Sequence, residues 1–344
     1  MTWSKAPSIS EFCASLEALG AKPAHVRRIF RAWMGVSSWD APSFAAYPKA
    51  LAEKIDEIRL GLSSLTHVLV SESKESDTAK FLVGLSDGQC VESVLLPRDA
   101  LCVSTQVGCA VGCRFCMTGK GGLIRQLTSL EIVSQYVAAL RFNPRLKKVV
   151  FMGMGEPSHN REAVREATEF LGDIAGLAHK EIVVSSVGDR RLFSEMPTWS
   201  VKPAFALSLH TTDNALREKL LPKAPRIPVE ELLEKTICYA RDTKYPAQIE
   251  WTLIAGVNDN EKDIARLASL ADPRYAMINF IAVNPVKDTG FTRPTPEHMQ
   301  DCITILREKG FVATLRESAA QDIEGGCGQL RARRLEEEEK KGSL

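Results

Sequence analysis

No stretch of this 344-residue chain approaches the roughly 18 apolar residues that a membrane-crossing helix needs, so no membrane-spanning segment is expected. The first residues, M-T-W-S-K-A-P-S, lack the apolar centre of a secretory signal. Excess charge is missing too: 44 Lys and Arg face 43 Asp and Glu, for a net +1. Bulk charge therefore does not advertise nucleic-acid binding, although local basic patches can still contact phosphates. There is no internal repeat and no low-complexity linker, which argues against a solenoid or array.

What is present is ordinary in bulk and unusual in detail. A hydrophobic content of 44% with 25% charged residues is that of a soluble globular protein with a sizeable core. The length suits one large domain plus a smaller one. Nine cysteines without a targeting signal imply a reducing compartment, with thiols kept for metal or catalysis. The expectation is a cytoplasmic protein of bacterial type. Lys22, Arg27, Arg28 and Arg31 form one basic cluster; Arg331, Arg333 and Arg334 form another. Either reads as well as a solvated helix face as it does as a phosphate contact.

Three of the cysteines, Cys109, Cys113 and Cys116, occupy the run C-A-V-G-C-R-F-C. A structural zinc site takes four protein ligands and is closed. A cubane iron–sulfur cluster also takes four, normally all cysteine. The next downstream histidine, His159, is distant in sequence, and Cys102 lies inside the apolar run L-C-V-S. A lone trio therefore points to a [4Fe–4S] cluster with one iron left open for a ligand. Close cysteine spacings in intracellular chains also bind structural zinc, which is the competing reading.

Residues 7 to 60 have helical periodicity, with Gly20 closing one helix and Pro23 opening the next. From 62 to 96 the period falls to two, and Asp87-Gly88 reads as a hairpin turn. From Leu101 onward six apolar runs alternate with helical stretches, beginning with L-C-V-S-T-Q-V; Thr128 to Glu131 is a capping box. This pattern predicts an α/β fold with a parallel sheet, as a partial (β/α) barrel or a doubly wound sheet. The strand ends are polar: G-M-G-E-P at 153–157, Ser185-Ser186, Ser208-Leu209-His210, and Val283-Asn284-Pro285. In parallel α/β folds chemistry gathers at such ends. Each alone reads as an ordinary turn or packed residue; together, beside a metal loop, they read as a site.

C-x-x-x-C-x-x-C with Phe115 before its last cysteine resembles the radical S-adenosylmethionine (SAM) enzymes. L-C-V-S-T-Q-V-G-C, F-M-G-M-G-E-P, S-L-H and the late D-I-E-G-G-C-G-Q-L together resemble the RlmN/Cfr family of RNA adenosine methyltransferases, over most of the chain. That resemblance implies a partial (β/α) barrel of the radical-SAM type at 98–330. It implies a helical RNA-binding accessory domain at 1–60, a small antiparallel strand region at 61–97, and a charged tail at 331–344. The cofactors would be a [4Fe–4S] cluster on Cys109, Cys113 and Cys116, and SAM held by Gly155, Glu156, Ser185, Ser208, Leu209, His210 and Asn284. Cys327 would carry a methyl group, Glu92 would accept the ring proton, and Cys102 would resolve the protein–RNA adduct through a Cys102–Cys327 disulfide. The implied reaction is methylation of an adenosine ring carbon, C2 ahead of C8, in rRNA or tRNA. The implied partners are that RNA and a reducing electron donor such as flavodoxin.

Without the family, Glu92 reads as an exposed strand residue, and Cys327 is balanced between structure and function. Cys13, Cys90, Cys238 and Cys302 match no motif and read as packing residues. The chain departs from the family at Ala319 and Ala320, where arginine and glycine are expected, which opens the choice of RNA. The alternatives are a radical-SAM enzyme with a diverged RNA or non-RNA substrate, and a non-catalytic zinc-bearing RNA-binding protein.

Overall fold

A computed structural model describes residues 5–40, 42, 46–284, 286, 289–316 and 320–334. Pro285, Ala319 and the end of the charged tail lie outside the described residues.

The first segment is helical: α1 (Ile9–Ala18), α2 (Pro23–Trp33), α3 (Lys49–Ala52) and α4 (Ile55–Ser64). Ser8 and Glu11 form a capping box at α1, and Pro23 occupies the first turn of α2, where its missing N–H costs nothing. Phe30 of α2 packs edge-on against Phe170 of the later chain, with ring centroids 4.9 Å apart. These helices therefore share one core with the α/β portion.

Three antiparallel strands follow, β1 (Val68–Glu72), β2 (Ala79–Gly84) and β3 (Gln89–Leu96). The Asp87-Gly88 turn joins β2 to β3, with Gly88 at φ 76°, a left-handed value that glycine adopts without strain. Next come β4 (Ala100–Cys102), β5 (Gln106–Gly108), α5 (Met117–Lys120), β6 (Leu123–Gln126) and α6 (Ser129–Leu140). They lead into β7 (Lys148–Phe151), α7 (Arg161–Glu169), β8 (Ile182–Ser186), α8 (Arg190–Glu195), β9 (Ala204–Ser208), α9 (Asn214–Leu220) and α10 (Val229–Thr243). The last part holds β10 (Ala247–Leu253), α11 (Glu261–Leu270), β11 (Ala276–Ala282), α12 (Pro296–Glu308), β12 (Val312–Arg316) and β13 (Arg333–Arg334).

Among the described residues one large sheet runs β1-β2-β3-β4-β7-β8-β9-β10-β11-β12, with β13 pairing β3. From β4 to β12 every pairing is parallel. The path is open, as a partial barrel requires, and does not close on itself. This is the predicted mixed α/β fold.

Two details differ from the sequence reading. The run L-C-V-S-T-Q-V is not one strand. β4 ends at Cys102, and β5 pairs with β6 in a separate two-stranded ribbon. The break is stabilised by Gln135 of α6, whose side chain accepts from the Ser104 N–H and donates to the Ser104 carbonyl, both at 2.8 Å. A buried amide thus replaces a neighbouring strand there. The second difference is a seventh parallel strand, β12, which lacks an apolar run because it is a short edge strand with Val312 exposed.

One face of the parallel strands carries buried polar side chains. Along β10, Ile249, Trp251 and Leu253 enter the hydrophobic core, while Gln248, Glu250 and Thr252 alternate with them and are also buried. Ser208 pairs with Glu250, Glu250 with Asn279, and Asn279 with Thr314, so one polar row crosses β9 to β12. Period-two alternation places such a row on a single face.

Candidate active site

The cysteine loop follows β5, is tied to a later segment at its start and closes on itself in a turn at its end. The Cys109 N–H donates to the Gly122 carbonyl at 2.9 Å, and the Cys116 N–H to the Cys113 carbonyl at 3.1 Å. Gly108 has φ +79°, and a Cβ there would lie 2.0 Å from the Gly122 oxygen, so only glycine fits. Cys109, Cys113 and Cys116 line one cavity of about 150 Å³. The same cavity is lined by Gly155, Glu156, Ser185, Ser208, His210 and Asn284, and by Cys327. Leu209, between Ser208 and His210, instead turns into the core and is fully buried.

Burial pushes the Cys109 thiol up to about 12, although the N–H groups of Val111 and Gly112 favour its thiolate. Burial, with the neighbouring cysteines, pushes Cys113 well above its usual range. Three sulfurs facing one cavity, with amides directed at a sulfur, suit a cluster that takes up thiolate charge. Among the described residues no three His, Cys, Asp or Glu side chains gather tightly enough to hold a single metal ion.

The G-M-G-E-P turn packs directly on the chain after β4. A Cβ on Gly153 would meet the Val103 carbonyl oxygen at 2.7 Å, and one on Gly155 (φ +106°) would meet Gln106 and Thr105 at 2.7 Å. Glu156 is buried and accepts from Ser158 N–H (2.9 Å), Ser186 Oγ (2.6 Å) and Val187 N–H (3.0 Å). Ser185 and Ser208 hydroxyls meet at 3.3 Å.

His210 sits at φ 65°, unusual for a residue with a Cβ, and is held there by its neighbours. Its Nδ1 accepts from the Thr252 N–H at 3.0 Å, and its carbonyl accepts from Asn258 at 2.6 Å. Its ring meets Phe115 of the cysteine loop edge-on at 4.8 Å. Burial, helped by the Arg217 cation, lowers its pKa to about 3, so the imidazole is neutral at physiological pH.

Arg217 and Glu250 carry no motif, and sequence reading missed both. Arg217 is buried and donates to the carbonyls of Val187 (2.6 Å), Ser208 (3.2 Å) and Leu209 (3.3 Å), stitching two strand ends together. Burial lowers its pKa to about 10, yet it remains a cation. Glu250 lines the cavity, and burial raises its pKa above the usual carboxylate range. It accepts from Asn279 at 2.7 Å.

The loop bearing Cys327 docks onto this arrangement. Cys327 is exposed and lines the cavity, while Cys102 is buried. The two are near enough that burial and the Cys327 sulfur together push the Cys102 thiol up, while the Met152 N–H opposes this. The described residues contain no disulfide. Glu92 is not the exposed strand residue that alternation alone suggests. It is 1% exposed, because β3 lies between β2 and β4 with β13 beside it, and the Cys327 loop covers it. One of its carboxylate oxygens lies 3.4 Å from the Lys80 ammonium, and the other accepts from the Arg331 N–H at 2.8 Å. Of the cysteines without motifs, Cys90 and Cys302 are buried and Cys13 and Cys238 half-buried.

Comparison with known proteins agrees with this geometry. Residues 103–271 match the radical SAM superfamily. A protein named "Probable RNA methyltransferase" from Aromatoleum aromaticum is 52% identical over 92% of this chain and 90% of its own length. One of the same name from Stutzerimonas stutzeri is 48% identical over 94% of this chain and 96% of its own. The chain belongs to the radical-SAM RNA methyltransferase family. A crystal structure of a radical SAM methyltransferase from Sphaerobacter thermophilus superposes with a TM-score of 0.82 at 33% identity, covering 96% of this chain and 99% of that one. The family read from the motifs is the family found. Its cofactors are a [4Fe–4S] cluster and SAM. No helix among the described residues is long and apolar enough to cross a membrane.

Proposed function

We propose that this radical-SAM methyltransferase methylates a ring carbon, C2 in preference to C8, of an adenosine in rRNA or tRNA, by way of an S-methylcysteine on Cys327. RNA as the substrate is supported by the names of the relatives from Aromatoleum and Stutzerimonas. The observation that carries the cysteine route is the meeting of two distant segments: Cys327 lines the same cavity as Cys109, Cys113 and Cys116.

In this reading Cys109, Cys113 and Cys116 hold the cluster. Gly155, Glu156, Ser185, Ser208, His210 and Asn284 hold SAM, with Leu209 contributing through its backbone position. When bound, these cofactors supply a 5′-deoxyadenosyl radical that takes hydrogen from a methyl group. The residues of the chain do the rest. Cys327, exposed on its glycine-flanked loop, carries that methyl group and presents it to the adenine ring. Glu92 takes the ring proton; its carboxylate is held by the Arg331 N–H, four residues beyond Cys327. Cys102 attacks the Cys327 sulfur: a sulfur–sulfur bond forms as the sulfur–carbon bond of the adduct breaks. The proton lost by the Cys102 thiol is balanced by one taken up at the freed carbon to complete the methyl group, and a disulfide is left between the two cysteines. Burial keeps Cys102 a thiol until that step, as its raised pKa favours.

The basic residues of α2, with Arg27 exposed, suit the N-terminal 1–60 region to contact RNA phosphates. The strand region 61–97, the core 98–330 and the tail 331–344 complete this division. The enzyme would work in the cytoplasm, supplied with electrons by a donor such as flavodoxin.

The test is a Cys102→Ala variant expressed in cells. It should accumulate RNA covalently attached through Cys327, seen by mass spectrometry of nuclease-treated protein. A variant that carries no nucleotide and still methylates RNA would sink the cysteine route.

A further inference from the structure

The hydrogen bonds around Asn284 form a network that the roles above do not use. Arg293, between β11 and α12, donates from Nε to the Val283 carbonyl at 2.8 Å. Its Nη2 donates to Asn284 Oδ1 and to Gln321 Oε1, both at 2.6 Å. Asn284 Nδ2 in turn donates to the Cys327 carbonyl at 2.9 Å. The polarity of this chain is fixed at both ends. A guanidinium has only donors and a main-chain carbonyl only accepts, so Arg293 obliges the Asn284 oxygen to face it and the nitrogen to face Cys327.

The loop it holds needs an external support. Gln321 begins the single helical turn Gln321–Ile323, which is flanked by Ala320 at φ 55° and Glu324 at φ 53°. Two non-glycine residues in the left-handed region persist only where surrounding contacts impose them. One planar fork reaches the front of this loop through Gln321 and its cysteine through Asn284.

We propose that Arg293 is a positioning residue of the methyl-transfer reaction, which orients Asn284 and clamps Gln321 and so sets where Cys327 stands over the cavity. This rests on the reading of Cys327 as the methyl carrier. Lysine cannot substitute fully, because a single ammonium on a flexible stem does not reproduce the fork.

The experiment compares cluster-loaded full-length Arg293→Met, Arg293→Lys and Gln321→Leu proteins with the wild type. Amide hydrogen exchange across residues 324–330 should quicken about tenfold in Arg293→Met, the effect of losing one or two charge-assisted hydrogen bonds. Arg293→Lys should be intermediate, and Gln321→Leu should loosen the loop while sparing Asn284. Methyl found on Cys327 should fall in all three, and in Gln321→Leu, which leaves Asn284 oriented, reductive cleavage of SAM to 5′-deoxyadenosine should stay within about twofold of wild type. Unchanged exchange in Arg293→Met would overturn the clamp. So would parallel loss of SAM cleavage and Cys327 methylation in Gln321→Leu, which would mean that the loop does not move separately from the cofactor site. If wild-type protein carries no methyl on Cys327, the functional reading fails, and the exchange data alone judge the clamp.

Discussion

The N–H of Met117 donates to the carbonyl of Gly328 at 2.7 Å. These residues directly follow Cys116 and Cys327, so a single backbone hydrogen bond registers the cluster loop against the loop of the proposed methyl carrier. The Thr118 hydroxyl, one residue on, repeats the contact by donating to the carbonyl of Leu330, two residues beyond Gly328, at 2.6 Å.

Gly328→Ala should disturb that registration. The residue has φ +79°, and a Cβ there would lie 2.9 Å from the Phe115 oxygen. The left-handed conformation alone costs a residue with a Cβ about 1–2 kcal/mol. Iron content is expected to hold while methyl on Cys327 falls, with both read on one preparation by metal analysis and peptide mass spectrometry. Full methylation would show that the contact does not matter.

Gly155→Ala should act on the other wall. Its Cβ would press on Thr105 and Gln106, and Gln106 Oε1 accepts from the Glu156 N–H at 2.7 Å. The expected result is a cluster-loaded protein whose spectrum no longer responds to added SAM. A wild-type response would mean that the turn relaxes without moving Glu156.

The Lys80–Glu92 pair predicts a stability effect. The two side chains are 10% and 1% exposed, and removing one member of such a buried pair typically costs about 3–5 kcal/mol. Lys80→Met should lower the urea midpoint strongly. Adding Glu92→Gln should recover most of the loss, because no unpaired charge then remains buried. Methyl transfer should stay absent in the double variant, since its proposed proton acceptor is gone.

His210 predicts an acid sensitivity. Its folded pKa is about 3, below the unfolded value of about 6.5. Below pH 6.5 the unfolded chain therefore gains a proton that the folded one refuses, and stability drops by up to about 1.4 kcal/mol per pH unit until the folded group titrates. His210→Gln should flatten this slope between pH 6.5 and 4.5 in urea titrations, whatever its cost at neutral pH. Equal slopes in the two proteins would count against a buried neutral imidazole.

The legible parts of this molecule were those written in local spacing. The cysteine trio, the Asp87-Gly88 turn and the Thr128–Glu131 capping box each need only neighbours in sequence. The alternating strands were legible because a buried parallel strand needs a continuous apolar run. What stayed hidden depends on pairing between distant segments. Arg217 looks like any helical arginine until strand register brings the Val187, Ser208 and Leu209 carbonyls around it. Glu92 looks exposed until β4, β13 and the Cys327 loop cover it. The break after Cys102 depends on Gln135, 31 residues away from Ser104. Ala320 adopts φ 55°, a left-handed value that a residue with a Cβ takes only where distant contacts impose it.

β4 has two unlike neighbours, antiparallel β3 on one side and parallel β7 on the other. A shortened protein begun at residue 98 would keep every cavity-lining side chain yet strip this strand along one whole flank. Naked main-chain donors and acceptors on a flat strand recruit further copies of themselves. Any attempt to miniaturise the enzyme from its amino end should therefore yield clumped protein before it yields an inactive one, unless that flank is given charged side chains first.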